Sequence, residues 1–380
     1  MKKKIVFVTG TRADFGKLKS LINMLNRYEA FETHLFVTGM HLDERYGYTV
    51  NEIEQHGYAH VFRYPNHTAE TAMDMTLAKT TEGFAQYTRV VKPDCIVVHG
   101  DRIEALACAT VGALNNILVA HIEGGELSGT IDELLRHAIS KLSHSHFVAN
   151  ESAAQRLLQM GELEQSVFVI GSPDMDVVLS QHLPELTAVK AHYAIPFERY
   201  AVSLFHPVTT EPGQLAADTA SYFDALEISG LNYVMVYPNN DPGSSIILER
   251  MQQYRDAGWC RIFPSVRFEA FLTLLRHADF IIGNSSAGIR EAPYYGVPTI
   301  NTGSRQYMRS NDEDIIHCAC DTEELLAAIR KAELADIPPK QLFGAGNSDR
   351  LFLEVLQTES FWQISRQKLF AVREIVNGGT

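Results

Sequence analysis

Short, unbroken apolar runs recur along this chain, each closing in a glycine or polar turn and most followed by a stretch of helical length. The first series is KIVFVTG (4–10), THLFVTG (33–39), DCIVVHG (94–100), NILVAHI (116–122), SHFVAN (145–150) and SVFVIG (166–171). Between these lie pieces such as KLKSLINMLNRY (17–28) and IEALACATVGALN (103–115). Runs that are continuous rather than alternating mark strands buried on both faces, the situation of a parallel sheet covered by helices. The pattern predicts βαβ units and a doubly wound α/β fold.

After GSPDMD (171–176), proline and acidic residues interrupt the pattern until Tyr200. A second series then begins with YAVSLFH (200–206), LNYVMVYP (231–238), CRIFPS (260–265), ADFIIGN (278–284) and VPTINTG (297–303). The expectation is two Rossmann-like doubly wound domains facing a cleft, over residues 1–175 and 176–360. A chain of 380 residues suits that division, because single cores stop growing beyond roughly 250–300 residues. The closing stretch ESFWQISRQKLFAVREIV (359–376) reads as an amphipathic helix with Phe361, Ile364, Leu369 and Val372 apolar.

Charge narrows the partners. A formal net charge of −13 argues against nucleic acid or an anionic membrane, so any anion site must be local. The apolar run after the basic start ends at Val8, too short for a signal peptide, and no apolar stretch of about 18 residues predicts a membrane span. The cytoplasm is the expected compartment. HCAC at 317–320 lacks a second ligand pair at zinc spacing and reads as a plain strand end, so no metal is expected. The dinucleotide fingerprint G-x-G-x-x-G is absent from the first turn, which excludes the usual NAD site, and no cofactor is expected.

In doubly wound sheets ligands bind beyond the carboxyl ends of the strands, so the residues there matter most. TGTRADFGK (9–17) is a glycine-containing turn into a helix, which offers amides and a positive dipole end to an anion, with Arg12 as a donor fork and Lys17 one turn on. The competing reading is a plain turn with a surface arginine. Asp101 and Arg102 close one strand and Glu123 the next, while Asp132 opens a helix after a glycine-rich loop. Adjacent strand ends could bring Asp101 and Glu123 close enough for one to keep its proton at pH 7, a pair suited to acid–base work. Structurally, Asp132 would serve the helix dipole and pair with Arg136.

In the second series His206 follows a strand, where a near-neutral pKa would suit acid–base or phosphate contact, and Asn239 sits in the turn YPNNDPGS. GNSSAGIREA (283–292) follows a buried run. Ser285 and Ser286 stand where a helix begins and can hold a diphosphate, Gly288 allows close approach, and Glu291 can accept hydrogen bonds from the vicinal hydroxyls of a ribose. Arg305 follows the next strand. Read blandly, the same stretch is a capping serine and a surface Arg290–Glu291 pair.

The stretches GTRADFGKL, HGDR, HIEGGELSGTIDE with RHAISKLSH, GSPD, HPVTT and GNSSAGIREAPYYGVP resemble the hydrolysing UDP-N-acetylglucosamine 2-epimerases, the first enzymes of sialic acid synthesis in capsule-forming bacteria. The similarity runs from the N-terminus to about residue 310. It implies the two-domain GT-B fold with a last helix, residues 361–380, crossing back to pack on the first domain, a homodimer or homotetramer, and conversion of UDP-N-acetylglucosamine to UDP and N-acetylmannosamine without metal or NAD. It also implies a route through 2-acetamidoglucal, formed by loss of UDP and of the C2 proton and then hydrated. By resemblance Asp101, Glu123 and Asp132 are catalytic carboxylates and His206 an active-site histidine. Arg12, Arg102, Ser285, Ser286, Glu291 and Arg305 match nucleotide contacts, and Lys17, Asn239 and Gly288 complete the expected binding set. Three alternatives stand beside this: the same chemistry on UDP-2,4-diacetamido-2,4,6-trideoxyglucose, a GT-B glycosyltransferase, and a nucleotide-sugar sensor.

Overall fold

The computed structural model describes residues 2–66, 72–128, 130–306 and 312–372. Seven strands, β1 (Lys3–Thr9), β2 (Phe31–Val37), β3 (Val61–Arg63), β4 (Cys95–His99), β5 (Leu118–Ile122), β6 (Ser145–Val148) and β7 (Val167–Val169), form one sheet in the order β3-β2-β1-β4-β5-β6-β7. Six more, β8 (Ala201–Leu204), β9 (Tyr233–Val236), β10 (Cys260–Phe263), β11 (Ile281–Gly283), β12 (Thr299–Thr302) and β13 (Ile316–Cys318), form a second in the order β10-β9-β8-β11-β12-β13. Every pairing is parallel.

The apolar runs feed two cores at once. In β1, β2 and β4, Ile5, Phe7, Leu35, Val37, Cys95 and Val97 enter one cluster, while Val6, Val8, Phe36, Ile96 and Val98 enter another on the opposite face. A side-chain period of two with both faces covered leaves no polar position to alternate with. Two elements escape the sequence pattern. β3 is a three-residue edge strand with Phe62 exposed, and β13 holds only Ile316–Cys318 beside β12.

The strand order reverses between β1 and β4 and again between β8 and β11, so a crevice opens beyond Thr9, His99, Leu204 and Gly283. Gly283 has φ +135, and a Cβ there would lie 1.9 Å from the Leu204 carbonyl oxygen. Gly283→Ala is therefore expected to cost about 3 kcal/mol of folding stability, read as a lowered urea midpoint. An unchanged midpoint would show that the junction of β8 and β11 yields easily.

The tail departs from the expected amphipathic helix. Its helical part is only Glu359–Trp362, and Arg366 donates to the carbonyls of Trp362 and Ile364 where further helical turns would continue. Lys368 then pairs with Glu162 at 2.6 Å, and the Ala371 amide donates to the Gly161 carbonyl. Leu369 and Val372 are exposed, and residues 373–376 of the expected helix lie outside the described residues. The return to the first sheet starts earlier than residue 361. The helix Ser348–Leu356 places Phe352, Leu353 and Leu356 in the first core, with Phe352 4.6 Å from Phe147 between ring centroids.

Candidate active site

The cleft between the two sheets encloses about 1470 Å³ of empty space, the solvent at its mouth included. Of the thirteen residues singled out in the sequence, all but Gly288 line it. Gly288 packs against β12 instead, where a Cβ would meet Thr299 Cγ2 at 2.7 Å. Its missing side chain serves the close approach of helix to strand, and the expectation of ligand contact is corrected.

The first turn carries hydrogen bonds of its own. Asp14 accepts from the Gly10 amide at 3.0 Å and the Thr11 hydroxyl accepts from the Asp14 amide, so the turn satisfies part of its own amide set. Arg12 lies 2.8 Å from Glu52 of its own lobe and reaches across the cleft to donate to Ser265 at 3.0 Å.

The three carboxylates occupy different surroundings. Asp101 pairs with the buried Arg136, and Asp132 with Arg305 at 3.1 Å, so the partnership of Asp132 with Arg136 is not the one formed. Glu123 is buried, with a backbone φ of +63 that strains any residue bearing a Cβ. Arg290 lies 2.6 Å from Glu123 Oε1, which also accepts from the Ser172 hydroxyl, and His99 Nε2 lies 3.1 Å from Oε2. Burial alone would raise the Glu123 pKa, but Arg290, Lys17 and His99 outweigh it and hold the carboxyl well below the usual range. Glu123 is thus ionised at pH 7. The expected sharing of a proton with Asp101 gives way to two separate arginine partnerships.

Arg290 is the residue the sequence most concealed. Read as one half of a surface pair, it is fully buried, 2.6 Å from Glu126, 3.2 Å from Asp174 and stacked 4.6 Å over the Phe343 ring. Lys17 joins the same cluster, 2.9 Å from Asp174 and 3.5 Å from Glu291. Glu291 is also buried. One of its oxygens, Oε2, has no hydrogen-bond partner, and burial pushes its pKa up, with Asp174 and Glu123 adding to the shift against Lys17 and Arg290.

On the second lobe, Asn284 locks the ends of β8 and β11 together, accepting from the His206 amide at 2.7 Å and donating to its carbonyl at 2.9 Å. His206 Nδ1 accepts from the Asn239 amide at 3.0 Å, which assigns the ring proton to Nε2. Burial, then Arg305 and Arg102, hold the imidazole pKa well below its usual value, so the ring is a neutral donor rather than a group titrating near pH 7. The Ser285 hydroxyl caps the helix Ser286–Arg290 through the Ala287 amide at 3.3 Å. Arg102 crosses from the first lobe to Asn240 at 2.7 Å. Cys318 and Cys320 contribute to no metal-ligand group, and the one such group among the described residues is Glu32, His34 and His60, away from the cleft.

The chain as a whole is similar to known proteins. The family model described as UDP-N-acetylglucosamine 2-epimerase matches residues 23–357. The chain is 47% identical to the UDP-N-acetylglucosamine 2-epimerase of Neisseria meningitidis serogroup B, over 97% of this chain and 98% of that protein. It is 34% identical to the hydrolysing UDP-N,N'-diacetylbacillosamine 2-epimerase of Legionella pneumophila, over 94% and 96%. In fold it is similar to the crystal structure of the Methanocaldococcus jannaschii UDP-GlcNAc 2-epimerase in complex with UDP-GlcNAc and UDP, with a TM-score of 0.79 at 22% identity over 93% of this chain and 99% of that one. The two parallel sheets facing a cleft are the GT-B arrangement of these structures, and the chain belongs to the UDP-N-acetylglucosamine 2-epimerase family.

Proposed function

We propose that this protein hydrolyses UDP-N-acetylglucosamine to UDP and N-acetylmannosamine, inverting C2, as the entry to sialic acid synthesis. One observation carries the reading: a single cleft is lined on one lobe by Asp101, Glu123 and Asp132, and on the other by Ser285, Ser286, His206 and Arg305. The second set suits a diphosphate and the first suits work on its sugar.

The C2 proton is not beside a carbonyl, so a carboxylate alone is a weak base for it. Its removal becomes feasible as the C1–O bond to UDP breaks and positive character builds on the ring. Stabilising the departing diphosphate is then the leading contribution, supplied by the Ser285 and Ser286 hydroxyls, the His206 Nε2–H and Arg305. The carboxylates of the first lobe take the C2 proton and then return a proton to C2 of the 2-acetamidoglucal on the face that inverts it, while water adds at C1. Metal and NAD have no part in this scheme, and we place it in the cytoplasm in a homodimer or homotetramer.

Incubating the pure protein with UDP-N-acetylglucosamine in heavy water is expected to release N-acetylmannosamine carrying deuterium at C2. Absence of that sugar, or product without deuterium, would reject the reaction. The similarity to the Legionella enzyme favours a second reading, the same chemistry on a 2,4-diacetamido sugar. Turnover of both nucleotide sugars side by side decides between them.

A further inference from the structure

We infer that Arg290 is a positioning residue for the reaction, a cross-lobe fork that holds Glu123 in place beneath the sugar while its own helix holds the nucleotide. The inference rests on the reaction proposed above.

Geometry carries it. Arg290 ends the helix Ser286–Arg290, one turn beyond Ser285 and Ser286 and directly before Glu291. Those three neighbours line the cleft, whereas Arg290 points behind its wall and is fully buried. Its guanidinium uses all three nitrogens on groups of the first lobe and of the helix Pro173–Val178: Nη2 on Glu123 at 2.6 Å, Nη1 on Glu126 at 2.6 Å and Nε on Asp174 at 3.2 Å. Nη2 also donates to the Ser172 hydroxyl, which itself donates to Glu123. A planar fork that satisfies three carboxylates fixes their relative positions as a single ammonium cannot. Ionised carboxylates without that cation would be buried at high cost, so the fork also decides whether Glu123 stays charged.

The groups facing Glu123 are Arg290 from the second lobe, Lys17 from the first helix, His99 from the end of β4, and the acids Asp174 and Glu291. Lys17 remains when Arg290 is changed, but it is 2.9 Å from Asp174 and is shared with Glu291. Burial, the largest influence on the Glu123 pKa, acts to raise it and is then far less opposed. A carboxylate that must be ionised gives activity that is lost as pH falls through its pKa. Raising that pKa moves the loss to higher pH.

The test uses Arg290→Lys and Arg290→Met in the full chain, with UDP binding by calorimetry and kcat/KM for the nucleotide sugar from about pH 4 to 9. Wild-type turnover of UDP-N-acetylglucosamine or the diacetamido sugar is measured first and reports on the reaction itself; the role of Arg290 is read from variant-to-wild-type ratios on whichever sugar is turned over. In Arg290→Lys we expect kcat about a hundredfold lower, a fall of the size caused by misplacing a reacting group by about 1 Å. UDP affinity should stay within a few-fold of wild type. In Arg290→Met the acid limb should move up by at least about one pH unit, the scale of losing a close opposite charge. Wild-type kcat in Arg290→Lys would overturn the inference, even if Arg290→Met fails to fold. So would a loss confined to UDP affinity, or an acid limb that stays in place in a folded Arg290→Met.

Discussion

Glu123→Gln is expected to cut turnover by about a thousandfold while UDP binds within a few-fold of wild type. The first half follows from what the substitution removes, an ionised carboxylate beside the place proposed for the sugar, where acid–base groups typically contribute 10²–10⁴-fold. The second half follows from what it leaves. Gln keeps the shape and one carbonyl acceptor for Ser172 and Arg290, and Arg290 retains the carboxylates of Glu126 and Asp174, so the buried cation is not stranded. The groups assigned to the diphosphate, Ser285, Ser286, His206 and Arg305, have no contact with Glu123 and should hold UDP as before. Calorimetry with UDP and a coupled assay for UDP release measure the two halves separately. Near-normal turnover would remove Glu123 from the chemistry, whereas joint loss of binding and turnover would indicate that the substitution disturbs the Arg290 cluster as a whole.

The division between what the sequence disclosed and what it hid has a physical cause. Strand ends were legible because an apolar run covered on both faces, stopping abruptly in a polar turn, is what a parallel sheet requires, and the parallel topology then brings those ends together. Asp101, Glu123, His206 and Ser285 were placed at the cleft in this way. Arg290 was not, because an arginine beside a glutamate in a helix looks like an ordinary exposed pair, and its partners Asp174 and Glu123 lie 116 and 167 residues away. Only GSPD, conspicuous as a motif but without an assigned role, pointed toward Asp174. Asn284 was hidden for a related reason: its side chain bonds to backbone 78 residues distant, which leaves no periodicity to read. In the tail the apolar spacing did fit a helix, but Lys368, donating to the Ser140 and Ser143 carbonyls, holds the segment against the first lobe instead. The environment of His206 was misjudged because the fold buries the ring, and Arg305 and Arg102, distant in sequence, both face it.

Glu291→Gln is expected to separate binding from stability. Glu291 is buried near Asp174 and Glu123, its pKa is raised chiefly by burial, and one oxygen lacks a partner. Gln has nearly the same shape and no charge to bury. Lys17 loses a contact of 3.5 Å but keeps Asp174 at 2.9 Å, so the variant should melt no lower than wild type. Nucleotide binding should behave in the opposite way. A carboxylate that accepts from both vicinal hydroxyls of a ribose makes charge-assisted bonds worth about 1.5–3 kcal/mol, so UDP affinity should fall about ten- to a hundredfold. The sharper comparison is between UDP and 2′-deoxy-UDP. Wild type should prefer UDP, and Glu291→Gln should lose much of that preference because the group that reads the hydroxyl is weakened. Equal affinity of wild type for the two nucleotides would place the ribose elsewhere, and with it the diphosphate now assigned to Ser285 and Ser286.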